Sequence, residues 1–223
     1  MVSNIRARSS EQKEARKEAI LEAALKLFRK TSFSGFTMDA LAKRLGVAKG
    51  TLYLYFQTKE ELFLSLYERL LGEWFGLLDS RLKPATAWDA ARLARALRET
   101  LEEKPDLTRM QGLVEGILEH NIALERAREY KHWLLQRAGR AGRLIEEKLG
   151  YLAPGDGFRV LIYTQALVSG LRQMASPAPV MVKLLKEPEF HALKVEFGPA
   201  LERGLEALLR GLKPRVSVPA QAG

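Results

Sequence analysis

Residues 33–63 read FSGFTMDALAKRLGVAKGTLYLYFQTKEELF, and this stretch decides the fold of the first quarter of the chain. Thr37 is a natural N-cap for a short helix over 38–45, and Gly46 ends that helix. After the turn, a second short helix is predicted from Lys49 to about Tyr55. Two short helices joined by a tight glycine-containing turn indicate a helix-turn-helix unit.

The flanking sequence predicts one longer helix on each side of this unit. Upstream, an amphipathic pattern predicts a helix from Glu11 to Lys30, with Ser9 as its cap. Downstream, Thr58 and Glu61 fit a capping box that opens a long helix from Lys59 to about Arg81. The helix-turn-helix unit is therefore expected to lie between two amphipathic helices.

The remainder of the chain continues in helical periods without strand alternation. Further helices are predicted at about 87–103, 107–118, 121–149, 156–175, 180–186 and 189–211. The expected fold class is all-α, with an N-terminal three-helix helix-turn-helix domain over 1–57 and a C-terminal helical domain over 58–212. The last residues, 213–223, are expected to be a disordered tail.

The net charge of +9 is concentrated at the start of the chain. Residues 1–59 contain 12 Lys and Arg against 5 Asp and Glu, whereas the remaining residues contain 24 against 22. A basic segment attached to a nearly neutral body favours a polyanionic partner, because neutralising phosphates releases counterions. A solvated, lysine-rich surface is the alternative.

Several classes of function and location are disfavoured by what the sequence lacks. It has no cysteine, no apolar secretory stretch near its start and no long uncharged apolar run, so a cytoplasmic protein without a membrane span is expected. Histidines 120, 132 and 191 have no metal-ligand spacing, and no nucleophile elbow, phosphate loop or paired-carboxylate motif occurs. We expect no catalytic residues, no metal and no cofactor.

Residues 33–63 closely resemble the DNA-binding signature of the TetR family of transcriptional regulators. The matching residues are Thr37, Leu41, Ala42, Gly46, Val47, Lys49, Gly50, Thr51, Leu52, Tyr53, Tyr55, Phe56, Lys59, Glu60 and Leu62. The resemblance implies a transcriptional repressor that binds a near-palindromic operator in double-stranded DNA as a homodimer. It also implies a small-molecule effector that releases the protein from the operator.

The resemblance also assigns roles to residues of the second short helix and its surroundings. Phosphate contacts are implied for Thr37, Tyr53, Tyr55 and Lys59, and positions nearest the bases for Lys49, Gly50 and Thr51. The residue chemistry agrees, since hydroxyl and ammonium donors suit phosphate oxygens and base edges in a major groove. The alternatives are that the two tyrosines pack against the first helix and that Thr37 only caps its helix. Ala48 departs from the family pattern because it cannot cap the helix that follows.

In the family, the last two long helices form a four-helix bundle across the dimer axis, which here implies helices over 156–175 and 189–211. The apolar stripes predicted for this interface are Leu161, Ile162, Leu167 and Val168 with Phe197, Leu201, Leu205, Leu208 and Leu209. The alternative is that these stripes pack inside one monomer.

The middle helices usually enclose the effector. The predicted effector-binding residues are Trp74, Trp88, Met110, Leu113, Ile117, Tyr163 and Met174, with His120 and Arg172 as candidate polar anchors. Because aromatic and methionine side chains dominate this set, the expected effector is a small hydrophobic molecule, and an acyl thioester is one candidate.

Two other binding functions remain open at this level. A sequence-tolerant architectural DNA-binding protein without an effector would also explain the basic N-terminal segment. A ligand-binding helical protein with a vestigial DNA-binding unit is a second alternative. Competition by unrelated DNA separates the first from a repressor, which prefers its operator by about 10³ or more.

Overall fold

The computed structural model describes residues 2–83, 87–114, 116 and 121–213, and the regular elements among them are all helical. The α-helices are α1 Val2–Phe28, α2 Met38–Leu45, α3 Lys49–Tyr53, α4 Lys59–Leu82, α5 Ala90–Glu102, α6 Pro105–Val114, α7 Leu124–Lys148, α8 Asp156–Met174, α9 Pro179–Leu184 and α10 Phe197–Gly211. A 3₁₀ helix, Pro188–Leu193, lies between α9 and α10. The all-α prediction is confirmed, and of the tail predicted over 213–223, residues 214–223 lie outside the described residues.

Contacts divide the chain into two compact units. The N-terminal unit comprises residues 1–70 together with 113–130, and the C-terminal unit comprises 71–112 and 131–223. Each unit is therefore built from two separate stretches of sequence, and the three boundaries fall within α4, α6 and α7.

Several predicted helix limits were wrong. The single helix predicted over 189–211 is a 3₁₀ helix, Pro188–Leu193, followed by α10, which begins only at Phe197. Helix α1 begins at Val2, so Ser9 lies within the helix and is not its cap, and the helix ends at Phe28. No proline or glycine occurs between Val2 and Ser9, and alanine and arginine in this stretch are good helix formers. Helix α3 ends at Tyr53 and not at Tyr55, because the amides of Tyr55 and Phe56 both turn back to the carbonyl of Leu52.

An aromatic cluster forms the core of the N-terminal unit. The ring of Phe63 in α4 packs edge-to-face against Phe28, Phe33 and Phe36, with centroid distances of 5.2, 4.9 and 4.8 Å. Such aromatic pairs contribute about 0.5–1.5 kcal/mol each beyond the area they bury. The cluster therefore fixes α4 to the end of α1 and to the segment that precedes α2.

A second set of contacts ties the start of α7 to α4 within the same unit. Arg126 donates from Nη1 to Glu68 at 3.2 Å and from Nη2 to Ser65 Oγ at 3.3 Å, and it also pairs through Nη2 with Glu68. The Thr58 hydroxyl donates to the carbonyl of Asn121 at 3.2 Å. We call these contacts the Arg126 brace, and they explain why residues 121–130 belong to the N-terminal unit.

The core of the C-terminal unit places the apolar stripe of α10 inside the monomer. Leu201, Leu205 and Leu209 are fully buried, and α10 packs on α5 and α8. Val168 of α8 is fully buried as well. For these four residues the prediction of a dimer stripe was wrong, because a hydrophobic stripe does not reveal whether its partner belongs to the same chain.

Helices α7 and α8 approach each other at two glycines. A Cβ on Gly142 would lie 2.7 Å from the amide nitrogen of Phe158, and a Cβ on Gly157 would lie 2.0 Å from the carbonyl oxygen of Gly142. The Glu146 carboxylate accepts hydrogen bonds from the amides of Gly155 and Gly157, both at 2.9 Å, and so caps the start of α8. The two helices therefore meet backbone to backbone.

No helix in the described part of the chain is long and apolar enough to cross a membrane. The same residues contain no group of three or more histidine or acidic side chains with the arrangement of a metal site.

Candidate nucleic-acid interface and ligand cavity

Helix α2 is delimited as its sequence predicts. Thr37 has extended backbone angles and accepts a hydrogen bond from the amide of Ala40 at 3.1 Å, which makes it the N-cap. Gly46 closes the helix in the left-handed conformation, with φ 66°, and its amide donates to the carbonyls of Ala42 and Lys43. A positive φ favours glycine at this position, because a side chain there would be strained.

The turn and α3 are held against α2 by a small apolar joint. The Val47 amide donates to the carbonyl of Ala42 at 3.1 Å, while Leu41 and Leu52 are fully buried. Ala48 makes no side-chain cap for α3. These contacts fix the orientation of α3 relative to α2, which is the geometric requirement of a helix-turn-helix.

The outer surface of α3 is open. Tyr53 is 41 % exposed and Leu54 is 78 % exposed, while Thr51 and Tyr55 are half-buried. A Cβ on Gly50 would meet no atom within 4 Å, so packing within the chain does not require glycine there. The absence of a side chain leaves the backbone of α3 accessible to a large ligand.

Lys49 is exposed but carries a counter-ion in this structure. Its Nζ donates to Asp39 Oδ2 at 2.8 Å, and this hydrogen bond, with the charge of Asp39, raises the pKa of Lys49 above its ordinary value. Lys49, which is among the residues predicted to lie nearest the bases, is therefore paired with an acidic residue of α2.

The ammonium group of Lys59 is directed toward the N-terminal unit itself. It donates to the carbonyls of Phe33 and Phe36 at 3.1 and 3.4 Å and lies 4.0 Å from the centroid of the Phe33 ring. The phosphate contact predicted for Lys59 would have to compete with these contacts within the chain. The lysine anchors the segment before α2, since two carbonyl oxygens and an aromatic face already surround its charge.

A separate cavity of about 60 Å³ lies within the C-terminal unit. Its lining residues are Leu71, Trp74, Phe75, Leu101, Leu107, Gln111, Leu134, Ala138, Phe158, Leu161, Ile162, Thr164 and Gln165. None of these side chains is ionisable, and Ile162 among them is 51 % exposed. The cavity suits an uncharged, largely apolar group.

The residues predicted to bind the effector do not gather at this cavity. Trp74 lines it, and its Nε1 donates to Thr100 Oγ1 at 3.1 Å. The other predicted residues that the structure describes do not line it. Met110 is buried in the core, Trp88 is half-buried and stacks on Arg92, and Leu113 belongs to the N-terminal unit. Tyr163 and Met174 are exposed, and Ile117 falls outside the described residues. Residues such as Phe75, Gln111 and Phe158 were missed, because helical periodicity marks buried faces but does not show where they leave a gap.

Arg172, one of the two candidate polar anchors, is not among the residues that line the cavity. Arg172 donates from Nε and Nη2 to Thr108 Oγ1 at 3.1 and 2.9 Å, and it lies 4.1 Å from the ring centroid of Phe197. Burial lowers the pKa of Arg172, although the charge of Glu102 opposes that shift. Arg172 is thus engaged in packing, and His120 lies outside the described residues.

A second, more open groove of about 550 Å³ follows α8. It is lined by Met174, Ala175, Pro177, Val182, Leu185, Lys186, His191, Lys194 and Val195. Met174, which was predicted to bind an effector, therefore belongs to this groove and not to the cavity around Trp74.

Comparison with known proteins identifies both parts of the chain. Residues 20–66 match the family model described as bacterial regulatory proteins, tetR family, and residues 68–216 match the tetracyclin repressor-like C-terminal domain. The chain is 26 % identical over 160 residues to the fatty acid metabolism regulator protein of Bacillus subtilis, covering 71 % of this chain and 72 % of that protein. It is 40 % identical over 87 residues to the HTH-type transcriptional regulator YhgD of the same organism, covering 39 % of this chain and 45 % of YhgD.

Solved structures share the fold at low sequence identity. The regulator FadR of Bacillus subtilis in complex with stearoyl-CoA aligns with a TM-score of 0.54 and 18 % identity, covering 85 % of this chain and 95 % of that one. A possible TetR family regulator from Streptomyces coelicolor aligns with a TM-score of 0.59 and 23 % identity, covering 88 % and 98 %. Because the two family models together cover most of the sequence, the chain belongs to the TetR family of transcriptional regulators.

Proposed function

We propose that this protein is a ligand-responsive repressor that binds a near-palindromic operator as a homodimer and is released by a small hydrophobic effector. The observation that carries the DNA-binding part is the open surface of α3, where Tyr53 and Leu54 are exposed and Gly50 has free space above it. Exposed aromatic and apolar side chains on a five-residue helix have no role in the monomer core.

The residues proposed to contact DNA differ in how exposed they are, and their proposed roles differ accordingly. Tyr53, Lys49, Gly50 and Thr51 face or border the open surface of α3, while Thr37 at the start of α2 offers backbone amides to a phosphate. Tyr55 is half-buried and contributes mainly through its hydroxyl. Lys59 acts indirectly by anchoring the segment before α2.

The test of DNA binding is selection of genomic fragments by the purified protein, followed by affinity measurement on the recovered site. We expect a near-palindromic sequence with half-sites about 34 Å or a multiple apart. Recovery of unrelated fragments without a shared site would contradict the repressor and favour the architectural alternative.

Tyr53→Phe should weaken binding to the recovered operator about 30-fold. The variant removes only the hydroxyl, and one lost hydrogen bond of about 1 kcal/mol counts twice in a symmetric dimer. Fluorescence anisotropy with labelled operator measures the change. Tyr151→Phe is the control for loss of a tyrosine hydroxyl, since that hydroxyl donates to the carbonyl of Leu209 within the C-terminal unit and belongs neither to α3 nor to the proposed dimer face. Equal affinities of the two variants would contradict a contact from Tyr53.

Asp39→Asn should strengthen binding to duplex DNA of arbitrary sequence several-fold at low salt. The variant removes the carboxylate that holds Lys49 at 2.8 Å and so frees one cation per protomer for phosphate. The slope of log affinity against log salt should steepen by about one per protomer, because each neutralised phosphate contributes about 0.9. A titration from 50 to 200 mM salt gives both values. The double variant Asp39→Asn with Lys49→Ala should lose this gain, and an equal gain in both would show that Lys49 is not the cation involved.

For the dimer, we propose the outward face of α8 as the centre of the interface. Ile162 and Tyr163 are 51 % and 43 % exposed, and Ala166 and Gly170 continue the same face at helical spacing. Small and apolar residues along one exposed helix face allow close packing against another helix. Leu208 and Ala207 on the outer side of α10 extend this surface.

For the effector, we propose the cavity around Trp74, Gln111 and Phe158 as the site. Its uncharged lining suits the acyl chain of a thioester, and the similarity to a fatty acid metabolism regulator supports an acyl compound as a candidate. At about 60 Å³ the cavity is smaller than the roughly 300–1,000 Å³ of typical ligand sites, so a bound effector would have to enlarge it.

Enlargement of the cavity offers a mechanism by which the effector releases the protein from its operator. A ligand that prefers an expanded C-terminal unit by 100-fold shifts the equilibrium by up to about 2.7 kcal/mol. Helices α4 and α7 each continue from one unit into the other, so both connect the cavity-forming residues to the N-terminal unit through the chain. Operator affinity measured with and without acyl compounds tests this step, and an affinity that no acyl compound changes would contradict it.

A further inference from the structure

The polar groups that line the cavity in the C-terminal unit are satisfied with one exception. The Thr164 hydroxyl donates to the carbonyl of Val160 at 2.7 Å, and the Trp74 indole donates to Thr100. Gln111 is only 7 % exposed, and its Oε1 is inaccessible to solvent and accepts no hydrogen bond from any described residue. An unsatisfied buried acceptor costs about 1–3 kcal/mol.

A buried acceptor that stays unsatisfied in a folded protein calls for an explanation, and binding a ligand is one such explanation. Gln111 borders the cavity, and the terminal torsion of a glutamine side chain is soft, so its carbonyl can turn toward a molecule that enters. The acceptor can only be satisfied by a hydroxyl or N–H donor. A carboxylate or phosphate cannot donate, and no ionisable side chain among the described lining residues would balance its charge.

We propose that the effector places an uncharged hydrogen-bond donor, a hydroxyl or an amide N–H on an apolar body, against Gln111 Oε1. This inference rests on the proposed function, in which the cavity is the effector site, and it narrows the class of ligand. A plain acyl chain or an ionised head group leaves Gln111 unsatisfied. An acyl thioester qualifies only where a hydroxyl or amide of the molecule reaches this residue.

Pairs of isomeric ligands separate the effect of a hydrogen-bond donor on affinity from the effects of size and hydrophobicity. 1-Butanol and 1-methoxypropane have the same atoms, as do 1-octanol and 1-methoxyheptane, but only the alcohols donate a hydrogen bond. The short pair is nearer in size to the cavity of about 60 Å³, and the long pair requires the cavity to enlarge. Binding is measured by isothermal titration calorimetry on the full chain, and release from DNA is measured separately by anisotropy.

We expect the wild-type protein to bind each alcohol about 10-fold more tightly than its ether isomer, since a satisfied acceptor contributes about 1–1.5 kcal/mol. In Gln111→Leu this preference should fall to about 2-fold or less, because the acceptor is gone and the volume is nearly kept. Gln165→Leu is the matched control within the same cavity, and there the 10-fold preference should persist. Circular dichroism of each variant confirms that the fold is retained.

Different failures identify different errors. A preference that survives in Gln111→Leu, or equal binding of both isomers to the wild type, overturns the role of Gln111 while leaving the cavity as the effector site. Absence of binding by every alcohol and ether overturns the inference together with the proposed site. Binding without any change in DNA affinity retains the Gln111 contact but contradicts the cavity as the regulatory site.

Discussion

Replacing Gly142 by alanine is expected to lower the midpoint of thermal unfolding by about 6–12 °C. The added methyl group would lie 2.7 Å from a backbone nitrogen of α8, and backbone cannot move aside as a flexible side chain can. Overpacking of this kind costs about 1–3 kcal/mol, with backbone clashes at the upper end, and 1 kcal/mol corresponds to about 2–4 °C in a chain of this size. Scanning calorimetry at one fixed protein concentration measures the shift.

Gly139→Ala is the matched control, because it makes the same change three residues earlier in α7. A Cβ on Gly139 meets only the end of the Arg143 side chain, at 3.7 Å, which is an ordinary contact. Alanine favours helix over glycine by about 0.8–1 kcal/mol, so this variant should unfold at the wild-type midpoint or above it. Equal midpoints for the two variants would show that α7 and α8 do not meet at Gly142.

Ala166→Glu should convert the protein to a monomer and weaken operator binding on the order of 100-fold. In a two-fold symmetric dimer the new carboxylate occurs on both subunits, and burying an unpaired charge costs about 3–5 kcal/mol. A monomer contacts one half-site and loses the contribution of the other. Light scattering gives the oligomeric state, and anisotropy with the selected operator gives the affinity.

Ala153→Glu provides the comparison for this variant. Ala153 is exposed in the connection between α7 and α8, so the same charge is added without entering the proposed interface. We expect this protein to remain dimeric with operator affinity near that of the wild type. If Ala166→Glu also remains a dimer, the outward face of α8 is not the interface.

The sequence was sufficient to predict α2 and the turn after it, because the boundaries of α2 depend on local chemistry. A capping hydroxyl at Thr37 and a glycine able to adopt positive φ at Gly46 act within a few residues of their own position. The capping box before α4 is equally local: the Glu61 amide donates to Thr58 Oγ1 at 3.0 Å, and the Glu61 carboxylate accepts from the Gln57 amide at 2.7 Å. Predictions of this kind need no knowledge of the tertiary structure.

Side-chain partners distant in sequence could not be predicted in the same way. Lys59 is directed to carbonyls more than twenty residues earlier, and the inward stripe of α10 packs on α5 about a hundred residues away. Periodicity shows that such a residue or face will be engaged but does not identify its partner. The cavity is a still less local feature, since it arises where five helices fail to fill the space between them.

The Arg126 brace limits how the parts of this regulator can be exchanged. A gene fusion that joins residues 1–66 to a foreign C-terminal domain leaves Ser65 without Arg126 and discards Glu68, so the transplanted unit lacks a contact on which it was built. Recombination that preserves the brace needs three crossovers, one within α4, one within α6 and one within α7, because the exchanged residues form two separate stretches. The N-terminal unit is therefore exchanged as two separate segments of sequence. We expect substitutions at Glu68 and Arg126 to occur together among related proteins.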